Sequence, residues 1–280
     1  MEETSDKSLV AYLSKCSAVE VHTLIGFMHS SLSLTSQELA EQYEAIESIP
    51  RARSRKRREL AVVLVGLLRW YGSDTMAYAA RWAFGKEPGV HYHEIVRDVA
   101  KQVNRNLKKK DRRDLPRVAS VDELEELIAE MLLTGALKDK SQEETALMLR
   151  EAGLDQDAAE TAARKFGPGI SGVALPVLVK MLGKKTVTVL LEEILVAVTY
   201  KFVGKQAAKK LAQRLIIKFA QRSWAKFLSW IGWALVALDV LLFATSPANR
   251  ITVPAVAAVS VFRVRARLGS KRKRQRARKG

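Results

Sequence analysis

The chain has 280 residues, 47 Lys and Arg against 30 Asp and Glu, a formal net charge of +17 and one cysteine. That length can bury a sizeable core in one large or two smaller domains, and 48% apolar with 28% charged residues describes a globular chain, not a disordered one. Cys16 alone excludes an internal disulfide framework and fits a reducing compartment, and the acidic start Met1-Glu2-Glu3-Thr4 lacks the apolar stretch of a cleavable secretory signal.

Ala, Leu, Lys, Arg and Glu dominate, and apolar residues recur at three- and four-residue spacing. The expectation is an all-α fold: a multi-helix bundle with a C-terminal hydrophobic helical hairpin and a disordered basic tail. Residues 1–50 form a short-helix unit, with Leu9, Leu13, Val19 and Leu24 on an apolar face and a helix start at Thr35-Ser36-Gln37-Glu38. Residues 51–117 form a helical domain. It opens on six basic residues in eight (51–58), read as a solvated linker or as the basic start of the next helix. An apolar helix or helix pair over 59–82 breaks near Gly72-Ser73-Asp74. An amphipathic helix follows with Tyr92, Ile95, Val96, Val99 and Val103 on one side, then a polar linker containing Pro116.

Residues 118–168 are a small acidic three-helix unit. Ser120-Val121-Asp122-Glu123 and Ser141-Gln142-Glu143-Glu144 are capping boxes, and Gly153 is placed to close the second helix. Residues 169–264 are a basic and apolar module. Helical segments 173–182 and 187–202 are split at Gly183-Lys184-Lys185, with strand competing over 186–199 because Val and Thr are frequent there. The hairpin arms are 227–244 and 251–264, with Pro254 acceptable in a first helical turn. Residues 265–280 are the disordered polybasic tail.

Charge is distributed very unevenly. Residues 194–280 hold nineteen Lys and Arg against the single acid Asp239, whereas residues 1–193 hold twenty-eight basic and twenty-nine acidic side chains. Within the basic part, Lys210, Arg214, Lys218, Arg222 and Lys226 recur every four residues. Each step drifts by roughly 40° on a helix, so the five form a slanting band. Like charges at this spacing cost an isolated helix roughly 0.2–0.5 kcal/mol per pair. An anionic surface offsets that at about 1 kcal/mol per basic residue. The competing reading is a solvated face neutralised by carboxylates from the N-terminal half.

The first hairpin arm is about 27 Å long as a helix and the second about 21 Å, against a bilayer core of about 30 Å. Trp230 and Trp233 sit where interfacial aromatics would anchor, and Asp239 opposes insertion. The arms, Pro254 included, therefore belong either in a bilayer or in the bundle core. The tail residues Lys271, Arg272, Lys273, Arg274, Arg276, Arg278 and Lys279 suit phosphates of lipid or nucleic acid. The tail carries no aromatic to stack on bases, and it directly follows an apolar segment, which favours lipid. In a eukaryotic chain it would also read as a nuclear address.

Residues that carry chemistry are few. His91 and His93 are two apart and diverge on a helix, Gly183-Lys184-Lys185-Thr186 lacks the upstream glycine of a phosphate loop, and Cys16 has no base nearby in sequence. No catalytic, cofactor or metal residue is assigned.

Several segments resemble the uncharacterised YaaW family of bacterial proteins. They are Leu13-Ser14-Lys15-Cys16-Ser17, Tyr71-Gly72-Ser73-Asp74-Thr75, Tyr92-His93-Glu94-Ile95 with Asp98-Val99-Ala100-Lys101, and most specifically Asn249-Arg250-Ile251-Thr252-Val253-Pro254-Ala255-Val256. The family is loosely grouped with chaperones of ubiquinol–cytochrome c assembly. The resemblance implies a helical fold and a role beside a membrane, and carries no established activity. The long basic tail and more hydrophobic hairpin depart from the family pattern. The expected function is that of a non-enzymatic membrane-associating protein. It would be cytoplasmic and peripheral to, or inserted in, the inner membrane. The rivals are a nucleic-acid-binding protein using the same basic residues and a chaperone-like interaction protein with a protein partner.

Overall fold

The computed structural model describes residues 2–29, 53–72, 89–106, 115, 119–137, 140–166, 173–202, 204–215 and 249–277. Among them every regular element is a helix, so the fold is all-α. In chain order these are α1 (Glu2–Leu13), α2 (Ala18–His29), α3 (Arg53–Gly72), α4 (Tyr92–Asn106), α5 (Val121–Leu137), α6 (Gln142–Glu151), α7 (Gln156–Phe166), α8 (Leu175–Phe202), α9 (Lys205–Leu215) and α10 (Asn249–Ala277).

Short polar signals set several of these boundaries. Before α5, the Ser120 N–H donates to Glu123 Oε2 at 2.7 Å and Glu123 N–H donates to Ser120 Oγ at 3.2 Å. Ser141 and Glu144 repeat this reciprocal box before α6. That helix ends when Leu154 N–H bonds back to the Leu149 carbonyl and Gly153 N–H to the Arg150 carbonyl, with Gly153 at φ 102°. This six-to-one closure needs a left-handed residue, and glycine takes that conformation without a Cβ clash.

Two caps come from far away in the chain. Asp6 of α1 accepts the Tyr92 N–H at 2.8 Å and so starts α4. Glu130 of α5 accepts the Leu175 N–H at 2.8 Å and so starts α8. Each carboxylate satisfies a first-turn donor that its own helix leaves unpaired.

Helix α8 bends at Gly183, whose φ 79° and ψ 152° fall outside helical space. This is the split expected at that glycine. Strand does not win over 186–199. Thr188 and Thr199 donate their hydroxyls to the Lys184 and Leu195 carbonyls, both at 2.8 Å, which satisfies these β-branched residues inside a helix. The basic run at 53–58 is the first turns of α3 and not a linker.

Helix α10 is central. It packs against α2, α3, α4, α5 and α8, and residues 251–264 are buried without interruption. Such a stretch is apolar on every side, so only the interior satisfies it. Residues 251–264, expected as the second arm of a hairpin, therefore lie in the core, the alternative to a bilayer. Pro254 lies in the second turn, because the helix begins at Asn249, and it offers no N–H to the Arg250 carbonyl. One contiguous core runs from Leu9 of α1 to Val264 of α10.

The expectation of disorder from residue 265 onward is corrected. Helix α10 continues to Ala277, because its first arginines find carboxylates instead of water. Lys271, Arg272, Lys273, Arg274 and Arg276 thus lie on a helical backbone. Arg278, Lys279, Lys218, Arg222, Lys226, Trp230, Trp233 and Asp239 lie outside the described residues. Among the described residues no helix is long and apolar enough to cross a membrane.

Candidate functional site, an arginine clasp at the end of a buried helix

Arg263, Arg265 and Arg267 alternate along α10. Two residues advance a helix by about 200°, so Arg265 faces away from the other two, while Arg263 and Arg267 share a side. The carboxylates follow that geometry. On one side, Arg263 Nη1 donates to Asp122 Oδ1 at 3.0 Å and to Glu125 Oε2 at 3.1 Å, and Arg267 Nη1 donates to Glu126 Oε2 at 3.1 Å. All three acids belong to α5, and Asp122 also pairs with Arg267 Nη2 at 3.2 Å. On the opposite side, Arg265 reaches Glu20 of α2 at 2.8 Å and Glu192 of α8 at 2.9 Å. Five carboxylates from three helices thus clamp three arginines of a fourth.

The innermost part is dry. The Arg263 guanidinium lies 4.8 Å from the centre of the Tyr12 ring, a cation–π contact from α1. Its Nε and Nη2 are buried and find no hydrogen-bond partner among the described residues, where this ring and the two α5 carboxylates balance the charge. Glu125 is fully buried and accepts the Tyr92 hydroxyl at 2.8 Å. Burial pushes the Glu125 carboxyl up to about 7, although Arg263 and the Tyr92 hydroxyl both pull it down. Burial, then the Glu125 charge, raises the Tyr92 hydroxyl well above its ordinary range. Glu192 is raised in the same direction by burial, against the pull of Arg265.

This arrangement binds helix to helix. Cys16, beside Tyr12, is pushed up to about 12 by burial and then by the Glu20 charge, so it remains a thiol at neutral pH. His91 holds Asp6 at 2.8 Å through Nδ1 at the start of α4, and His93 approaches the Ala119 carbonyl at 3.1 Å. The two histidines thus diverge into separate contacts. Among the described residues no three side chains are grouped to hold a metal.

The sequence-predicted basic residues divide between two places. In α9, Ala208, Leu211 and Ala212 are buried while Lys205 and Lys209 are exposed. Helical register sets positions 210 and 214 about 200° from Ala208 and Ala212. Lys271 through Arg276 follow the clasp on α10, where burial has already fallen away by Ala266 and Gly269. The clasp itself escaped sequence reasoning. Its signal was the alternation Arg263-Val264-Arg265-Ala266-Arg267 at the end of an apolar stretch, in a chain whose acids, Asp239 apart, all lie before residue 194. Against protein-family models, curated proteins and solved structures the chain matches nothing, so no relative assigns a role to either group of basic residues.

Proposed function

We propose that the protein is a non-enzymatic, membrane-associating helical protein that binds anionic lipid headgroups electrostatically, on the cytoplasmic side of the inner membrane. The basic end of α10 makes the main contact and the basic side of α9 assists. The reading is supported chiefly by the division of charge along α10. The clasp carboxylates are engaged by Arg263, Arg265 and Arg267, and Lys271, Arg272, Lys273, Arg274 and Arg276 then follow with no acid anywhere in 268–280. A cluster of cations with no acid near it in sequence finds its best counter-charge on an anionic surface. Insertion of residues 251–264 is not part of the reading, since it would empty the core. Kinship with the YaaW family is proposed with it, on the motif Asn249 to Val256 that opens the central helix.

The test is cosedimentation of the full chain with vesicles of phosphatidylglycerol in phosphatidylcholine, over a salt series. Binding should require phosphatidylglycerol and weaken as salt rises. Replacing Lys271, Arg272, Lys273 and Arg274 together by Gln should weaken it by roughly a hundredfold. Retention on duplex DNA without retention on these vesicles would transfer the function to nucleic acid. Capture of a protein client by a variant carrying the four Gln, with vesicle binding absent in the parent, would transfer it to a chaperone role.

A further inference from the structure

Helix α3 is apolar on two opposite sides, and among the described residues only one of them enters the core. Leu60, Ala61, Leu64, Val65 and Leu68 enter the core. On the other side Val62 is 54% exposed, Val63 44% and Trp70 46%. Gly66 lies between them with nothing within 4 Å of where a Cβ would sit. At 100° per residue, Val62, Gly66, Trp70 and Val63 fall within an arc of about 100°. Exposed apolar side chains gathered on one helical face, instead of scattered singly, suit a contact surface.

The N-terminal end of the same arc indicates what is contacted. Arg55 falls within it about two turns before Val62, and Lys56 and Arg58 flank it, all three exposed. Arg55 pairs with Glu59 at 3.0 Å with both side chains mostly in water, an arrangement that contributes little by itself. Cations at one end, two valines in the middle and a tryptophan at the other end make a strip about 22 Å long, with Glu59, paired to Arg55, lying within it between the cations and the valines. Basic residues would meet phosphates while the valines and the indole enter the headgroup–acyl boundary, the arrangement of an interfacial helix. A second copy of this chain would also cover the valines. It would do so against the mutual repulsion of two molecules each carrying a net +17.

We propose that the outer face of α3 is a second membrane contact, in which Val62, Val63 and Trp70 enter the interface of an anionic bilayer beside Arg55, Lys56 and Arg58. This deepens the lipid-binding reading and rests on it. It adds the shallow apolar anchor that α10, committed to the core, does not provide.

The experiment places an environment-sensitive fluorophore at Val63→Cys in the full chain. Cys16 is buried with its thiol held protonated, so labelling favours position 63, and the unsubstituted chain supplies the background. On phosphatidylglycerol-containing vesicles the emission should shift to the blue and be quenched by brominated acyl chains. The same label at Leu147→Cys on acidic α6, where the native side chain is at least as exposed, should not respond. Trp70→Ser should weaken vesicle partition roughly tenfold, and the loss should persist at high salt because it is apolar. Full vesicle binding with a silent probe at 63 would overturn this contact while leaving the lipid-binding reading intact. No vesicle binding by the parent chain would overturn both. Emission that shifts with protein concentration in the absence of vesicles would make the strip a self-association face and also overturn the proposal.

Discussion

Arg263, Arg265 and Arg267 sit one to three turns away from Lys271, Arg272, Lys273 and Arg274 on the same helix, and the two groups lie on either side of the point where the core ends. The first group is enclosed by Asp122, Glu125, Glu126, Glu20 and Glu192. The second follows the point where the core ends. By sequence they form one basic tail. The difference teaches that excess charge is not a single property of this chain. Carboxylates of α2, α5 and α8 neutralise the inner cations within the fold, and under the proposed function the outer ones meet the anionic surface. On the proposed function, the inner cations therefore belong to stability and the outer ones to binding.

Substituting Arg263 is the severest way to test that division. Arg263→Met should destabilise the fold by about 3–5 kcal/mol, because it leaves the buried Glu125 without its cation. Pairing Arg263→Met with Glu125→Leu should recover much of that loss, since removing both members avoids an orphaned charge. Urea denaturation of the two variants and the parent measures it. A single variant as stable as the parent would show that Arg263 contributes no more than a solvent-exposed arginine.

Glu125 supplies the next effect. Its folded value of about 7 lies above the ordinary carboxyl value, so the folded state holds its proton more tightly than the unfolded chain does. Its contribution to stability is therefore fully present below about 4.5 and is lost as pH rises through about 7. Relative to Glu125→Gln, the parent should lose on the order of 3 kcal/mol between those limits. The raised Glu192 acts in the same direction. Denaturation curves of parent and variant from pH 4.5 to 8 decide the matter. A difference that stays flat would mean that Arg263 keeps Glu125 ionised throughout and outweighs burial.

Which parts of this were readable from residues alone follows from the range of the interactions. The boxes at Ser120 and Ser141, the closure at Gly153 and the break at Gly183 are local, and each was legible because its partners lie within five residues. Asp6 on Tyr92 and Glu130 on Leu175 are separated by 86 and 45 residues, so no window of sequence shows them. The clasp is of the second kind, since Arg263 and Glu125 lie 138 residues apart. The tail was misread for this reason. Alternating arginines with no nearby acid look solvated until helices from the other half of the chain bring carboxylates to them. The second arm misled less, because 251–264 carries so little polarity that bilayer and core were the only destinations open to it.

The weakest effects are the most discriminating, since they follow the clasp outward. Side-chain exposure rises from 7% at Arg263 to 27% at Arg265 and 35% at Arg267. Water then takes over the solvation of each charge, and the cost of losing it falls. Arg265→Gln should cost about 1–3 kcal/mol, as it abandons two mostly buried carboxylates. Arg267→Gln should cost at most about 1 kcal/mol, because Asp122 and Glu126 are well hydrated. Replacing Lys271, Arg272, Lys273 and Arg274 by Gln should change stability by no more than about 0.5 kcal/mol while removing most of the binding to phosphatidylglycerol vesicles. Stability and vesicle binding measured on this one series must move in opposite senses along the helix. A quadruple variant that unfolds easily would mean that the outer cations also hold the fold together, and the boundary drawn near residue 268 would have to move outward.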